Sequence, residues 1–248
     1  MAIVFEKTKG LTDKPFHYCP GCTHGIIHRI IAEVMCEMNI LDDAIGVSSV
    51  GCTYNNYEYF ACDMVQAAHG RAPAVATGIK RVHPGNMVFT YQGDGDLASI
   101  GTAEIVHAAA RGEKICAFFV NNAVYGMTSG QMAPTTLLGQ VTTTSPFGRD
   151  ANLQGYPINM SEMLATLQGA VYIERVTVVD FKSIQQAKKA IAKAFRVQQK
   201  RLGFAFVEFL STCPTNWGKD PVDSLQWIRE NMIPQYPLGV FKGKDLEV

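Results

Sequence analysis

The run Gly93-Asp94-Gly95-Asp96, echoed further on by Asn121-Asn122 and Val124-Tyr125-Gly126-Met127, constrains the fold of this chain more than any other feature. The first run follows an apolar stretch, Met87 to Tyr91, that reads as a strand. The second follows another, Ile115 to Val120, with a helix over about Ile100 to Arg111 between them. In a parallel sheet both polar turns then lie at the carboxyl edge, where open α/β sheets bind ligands. Asp and Asn oxygens, with a nearby main-chain carbonyl, are hard donors suited to Mg²⁺ that bridges phosphate oxygens. The flanking glycines let backbone amides approach a diphosphate. The plainer reading is a pair of tight turns, since Gly, Asp and Asn are the commonest turn residues; the strand and helix order around them favours a site.

The rest of the sequence alternates helices and strands. Ile26, Ile27, Ile30, Ile31, Val34, Met35 and Met38 form one helical stripe between Gly25 and about Asn39. Strands are expected at Ile45 to Val50, Val171 to Val179 and Phe204 to Leu210. Helices are expected at Ala74 to His83, at Ser161 to Gln168 with Ser161 as N-cap, at Ser183 to Arg201, and near Leu225 to Asn231. This alternation predicts an α/β fold, a mostly parallel sheet with helices on both faces. With no repeat or linker, residues 1–248 read as a single domain with an irregular N-terminal segment and a short C-terminal tail. Residues 129–158 lack periodicity, and so long a structureless stretch in a compact domain marks a functional or contact surface.

Lys plus Arg and Asp plus Glu each number 22, so the formal charge is zero and neither a nucleic-acid footprint nor a polybasic membrane patch is present. Met1 to Lys7 lacks a signal-peptide pattern, and no apolar run approaches the ~20 residues that span a bilayer. A cytoplasmic protein is expected. In such a compartment the seven cysteines are not a disulfide framework. Cys36, Cys62 and Cys116 sit among apolar neighbours and read as packed thiols. Cys19 and Cys22 form a Cys-x-x-Cys that fits half a zinc site, a redox dithiol or half an iron–sulfur site. Cys52 and Cys213 follow predicted strands, which brings them to the same edge as Asp94 and Asn122.

The Gly-Asp-Gly and Asn-Asn pattern resembles the signature of thiamine diphosphate enzymes. With Cys19-Pro20-Gly21-Cys22, Gly51-Cys52 and Cys213-Pro214, the chain resembles the thiamine-diphosphate-binding β subunit of 2-oxoacid:ferredoxin oxidoreductases from about His17 to Trp217. His69-Gly70-Arg71-Ala72, Ala76 to Lys80 and Tyr125 to Gln131 extend the likeness. Thr23 and Ser129 depart from it, where that family often has Gly. The resemblance implies a thiamine-diphosphate-binding fold, with Mg²⁺ on Asp94, Asn122 and the main chain of Val124. It implies a [4Fe-4S] cluster on Cys19, Cys22, Cys52 and Cys213. Val50, Gly51, Cys52, Thr53, Gly93, Gly95, Asp96, Gly126 and Met127 would line the coenzyme. His69, and more weakly His24, would contact coenzyme or substrate; Arg71 and Lys80 would add charge near phosphates unless they are solvated surface cations.

The implied activity is CoA-dependent oxidative decarboxylation of a 2-oxoacid to acyl-CoA and CO₂, with electrons passed to ferredoxin. The glutamate that activates the coenzyme belongs to a pyrimidine-binding domain, so an α-type partner subunit would supply it. Further ferredoxin-like and γ-type subunits are implied, with residues 129–158 as contact surface. The Cys213 to Gly218 ending looks most like subunits assigned to branched-chain 2-oxoacids or 2-oxoglutarate, which slightly favours 2-oxoisovalerate. Two other readings stay open: a non-redox thiamine-dependent decarboxylase subunit with a structural zinc, and a non-catalytic electron-transfer or assembly protein.

Overall fold

The structure, a computed structural model, describes residues 6–248; residues 1–5, most of the stretch read for a leader, lie outside the described residues. Its strands are β1 (Ala44–Ser48), β2 (Asp63–Gln66), β3 (Met87–Gly93), β4 (Cys116–Asn121), β5 (Ala170–Thr177), β6 (Phe204–Leu210) and β7 (Gly239–Lys242). They form one sheet of seven strands in the order β2-β1-β3-β4-β6-β5-β7. Every pairing is parallel except that of β7 with β5. β3, β4 and β6 are buried almost throughout and read as continuous apolar runs, as strands covered on both faces do.

The helices are α1 (His24–Glu37), α2 (Ala72–Val82), α3 (Thr102–Ala110), α4 (Ala151–Gln154), α5 (Met160–Ala165), α6 (Phe181–Gln199), α7 (Pro214–Trp217) and α8 (Pro221–Trp227). One face of the sheet packs Phe89, Phe118 and Val207 against Ile27 and Ile31 of α1 and Phe195 of α6. The opposite face packs Val88, Phe119 and Phe206 against α2, α3 and α5 through Ala76, Ile105 and Leu164. Each buried Phe contributes about 1.5–3 kcal/mol relative to exposure. The chain runs outward from β1 to β2, then returns to place β3 on β1's other side. That reversal makes a topological switch point at the carboxyl ends of β1 and β3.

Several expectations need correcting. β2 and β7 are short edge strands with no apolar alternation; β2 is largely exposed. Before α3 the chain winds as a π-helix over Gly95–Ile100, so the regular helix starts later than the sequence indicates. Ser161 is not an N-cap: Asn159 holds that position, and the buried Ser161 hydroxyl donates instead to Glu208 Oε2 at 2.5 Å. Helix α6 begins earlier, under a capping box of Asp180 and Ser183. The tail helix is α8 followed by a π turn over Ile228–Met232. Residues 129–158 hold no element longer than α4, yet they are ordered around the buried Arg149, which donates to the carbonyls of Pro134, Thr136, Gly155 and Tyr156. No helix among the described residues is long and apolar enough to cross a membrane.

Candidate cofactor-binding site

Gly93 ends β3 opposite Val120 of β4, so the two polar turns emerge side by side. Asp94 is buried, and its Oδ2 accepts from the Val124 amide (3.2 Å) and the Thr135 hydroxyl (2.9 Å). Asn122 Oδ1 accepts from the same Val124 amide at 3.3 Å. The three expected metal ligands are therefore neighbours. Between them Ala123 is left-handed, with φ at 59°. That conformation costs a side-chain-bearing residue about 1–2 kcal/mol. Thr136 and Gln140 donate to the Ala123 carbonyl (2.7 and 3.3 Å), and the Trp217 indole N–H donates to that of Asn122 (3.1 Å). That Thr135, Thr136, Gln140 and Trp217 support this turn is not readable in the sequence, because only the fold returns their loops here.

Burial pushes the Asp94 carboxyl up to about 7, against hydrogen bonds from Thr135, Val124 and Asn122 that pull it down. Among the described residues no side-chain cation pairs with it. A carboxylate beside an amide oxygen and main chain suits a small divalent cation that takes its remaining ligands from phosphate and water. Val50 to Thr53, His69, Gly93 to Asp96, Asn122, Gly126 and Met127 line one cavity of about 210 Å³; Val124, Arg71 and Lys80 do not. His24, Ser99, Ile100, Tyr125 and Thr128 complete its wall.

Asp96 lines the cavity as expected and also braces its wall. Its Oδ1 accepts from His69 Nδ1 (2.6 Å), the Gly70 amide (2.9 Å) and the Val50 amide (3.3 Å), and its Oδ2 accepts from Gln92 (2.6 Å). The carboxylate is engaged by its own chain and fixes His69 and the loop after β1. Arg71 sits at the rim, neutralised by Glu104 at 2.7 Å. Lys80 is corrected outright: it is buried at the far end of α2 and donates to the Asn86 carbonyl at 2.5 Å, on the opposite edge of the sheet.

Cys19, Cys22, Cys52 and Cys213 together line a second cavity of about 60 Å³. Cys22 N–H donates to the Cys19 carbonyl at 3.0 Å in a turn where Gly21 has φ 77° and a Cβ would stand 2.5 Å from the Pro221 Cβ. The Thr23 hydroxyl meets Ser211 Oγ at 2.7 Å, and its amide donates to Thr212 Oγ1 at 3.2 Å, which ties the cysteine pair to the end of β6 and so to Cys213. Asn216 donates to Cys213 Sγ (3.2 Å) and to the Gly126 carbonyl (2.9 Å). A Cβ on Gly126 would stand 3.1 Å from Cys52 Sγ and 3.5 Å from Cys213 Sγ, so only glycine leaves this cradle open. Burial, reinforced by neighbouring thiols, pushes Cys22 and Cys52 up to about 12 and raises Cys213.

Among the described residues no three His, Cys, Asp or Glu side chains converge closely enough to hold one metal ion. A cluster, with one thiolate to each iron, needs thiols spread around a cavity, and this donor set fits it. The remaining cysteines pack as expected, Cys116 fully buried and Cys36 and Cys62 against the core. His24, Cys52, Asn122 and Gly126 line both cavities and form the wall between them. His24 Nδ1 is 2.7 Å from the Tyr91 hydroxyl, and burial lowers the imidazole to about 3, so it stays neutral.

Residues 45–209 match the family described as thiamine pyrophosphate enzyme, C-terminal TPP binding domain. The ketoisovalerate oxidoreductase subunit VorA of Methanothermobacter thermautotrophicus is 51% identical across 98% of this chain, which spans 51% of that relative's length. The 2-oxoglutarate synthase subunit KorB of Methanocaldococcus jannaschii is 36% identical, matching 88% of this chain and 79% of its own. A solved 2-oxoglutarate:ferredoxin oxidoreductase from Magnetococcus marinus shares the fold, with a TM-score of 0.78 over 98% of this chain and 89% of that one, at 24% identity. The chain thus belongs to the thiamine pyrophosphate enzymes, through their C-terminal TPP binding domain, in the branch of 2-oxoacid oxidoreductase subunits.

Proposed function

We propose that this chain is the thiamine diphosphate- and [4Fe-4S]-binding subunit of a CoA-dependent 2-oxoacid:ferredoxin oxidoreductase, with 2-oxoisovalerate as substrate. One observation carries the reading: the cavity of the two polar turns and the cavity of the four thiols share a wall. The greater identity to a ketoisovalerate subunit than to 2-oxoglutarate subunits supports the substrate. When bound, the coenzyme would supply a nucleophilic carbanion and an electron sink for decarboxylation.

The chain's own residues anchor and exclude. Asp94, Asn122 and the Val124 carbonyl would hold Mg²⁺ and neutralise the diphosphate. Gly95 and Gly126 leave room for its oxygens. His69, held by Asp96 through Nδ1, lines the cavity. Cys52 serves both coenzyme wall and cluster. An α-type partner would supply the activating glutamate, and ferredoxin-like and γ-type subunits the onward electron path. Residues 1–248 then act as one coenzyme-binding domain. Thiols kept free for a cluster suit the reducing cytoplasm.

The test is an anaerobic preparation of the complex, assayed for 2-oxoisovalerate- and CoA-dependent ferredoxin reduction beside iron and sulfide analysis. The reading requires four iron atoms on this chain, and electron transfer lost in Cys213→Ala. Full ferredoxin reduction with zinc and no iron on this chain would refute it; decarboxylation with no ferredoxin reduction in such a preparation would favour the decarboxylase alternative.

A further inference from the structure

We infer that the buried chain Arg175–Glu208–Asn121, together with Tyr236, is a positioning brace that sets the two metal-binding turns. The inference rests on the cofactor reading above. Arg175, Glu208, Asn121 and Tyr236 are all 0% exposed, and none of them lines the coenzyme cavity. Glu208 Oε2 accepts from Arg175 Nε (2.8 Å) and Ser161 (2.5 Å), and its Oε1 accepts from Asn121 Nδ2 (2.8 Å). That last bond fixes which way the Asn121 amide faces. Its Oδ1 then accepts from the Ala123 amide at 3.1 Å, at the left-handed residue between Asn122 and Val124. So the first Asn of the pair acts on the second as a lever.

A second arm reaches the other turn. The Tyr236 hydroxyl donates to the Thr135 carbonyl at 2.5 Å, and the Thr135 hydroxyl donates to Asp94 at 2.9 Å. The arms meet at Arg175, whose guanidinium lies 5.3 Å from the Tyr236 ring and 4.8 Å from the Phe241 ring and donates to the Pro237 carbonyl at 3.0 Å. Its outer side forks onto Glu162 at 2.5 and 2.9 Å. Apolar residues would fill this space without the desolvation cost of a buried ion pair. What they could not do is orient an amide against a left-handed peptide. The C-terminal segment 236–241 is thereby coupled to both ligand turns.

The test is a calorimetric titration of the cofactor-stripped enzyme complex with thiamine diphosphate at fixed Mg²⁺, comparing wild type with Glu208→Gln and Tyr236→Phe. Loss of an outer support to a metal site weakens binding by about 10–100-fold. Glu208→Gln is expected within that range, and Tyr236→Phe at its lower end, with iron content unchanged. Folded variants with wild-type Kd, even at lowered Tm, would reduce the network to a structural role and overturn the inference. Should Glu208→Gln not fold, Tyr236→Phe decides alone: a raised Kd supports the brace and an unchanged one ends it. A wild-type complex that binds no thiamine diphosphate would sink the cofactor reading itself, and the brace with it.

Discussion

Asp94 shows how a single residue can be costly in isolation and apt for its ligand. Its folded-state value of about 7 lies above its ordinary 3.8, raised by burial. A carboxyl shifted this way contributes stability below the lower value and loses it as pH rises through the higher one. The cofactor-free protein therefore loses Asp94's contribution between about pH 4 and pH 7. Cation binding must displace the same proton, so affinity for Mg²⁺ with thiamine diphosphate should rise about tenfold per pH unit up to about 7 and then level. Titrations of wild type against Asp94→Asn measure this, since the variant removes Asp94's part of the slope along with most of the affinity. An unchanged slope in the variant would remove Asp94 from the site.

Ser129, one of the two departures from the family pattern, has φ 81° and an exposed side chain. Ser129→Gly should relieve about 1 kcal/mol of backbone strain and raise Tm by about 2–4 °C in a thermal melt. Thr23, the other departure, makes two bonds to the end of β6 that glycine could not fully reproduce. The sequence flags both as loop substitutions, but their opposite consequences depend on backbone angle and on a partner far along the chain.

Elements were legible where the local pattern and the tertiary environment agree. β3, β4 and β6 are buried on both faces, so their apolar runs announce them, and Phe204 to Leu210 is bounded in the sequence as in the fold. β2 stays hidden because an exposed edge strand carrying Asp63 and Gln66 has no apolar pattern to show. Ser161 misleads because a serine before an apolar run looks like a cap, while its actual partner, Glu208, lies on β6. The motif residues of the site are readable from their chemistry; the supports Thr135, Trp217 and Tyr236 are not, because only the folded loops bring them there.

The turn carrying Gly126 joins element to function. Gly126→Ala places a methyl group against the Cys52 and Cys213 sulfurs in the thiol-lined cavity proposed for the cluster. Iron and acid-labile sulfide per chain should fall well below wild type, by at least about half, while far-ultraviolet circular dichroism is unchanged; a methyl group crowding the sulfurs acts on metal binding before the fold. Wild-type iron content would show that the cavity is not the cluster's.

For the molecule as a whole, the loop stretch whose Thr135 and Thr136 support the site also leaves large apolar side chains uncovered. Phe147 is 100% exposed, Leu153 81% and Tyr156 76%, on the stretch that Arg149 holds in place. Rimmed apolar patches on ordered loops mark protein contacts. Phe147→Asp should leave the chain's Tm unchanged and weaken its co-purification with partner subunits by about tenfold or more, as loss of an aromatic anchor does. Retained assembly would move the interface elsewhere.

The most direct measurement is anomalous diffraction at the iron edge from anaerobic crystals of the complex soaked with Mg²⁺ and thiamine diphosphate. One iron cluster should lie among Cys19, Cys22, Cys52 and Cys213, with the diphosphate on Asp94 and Asn122 across the wall of Cys52 and Gly126. Iron bound elsewhere, or a diphosphate away from Asp94, would contradict it.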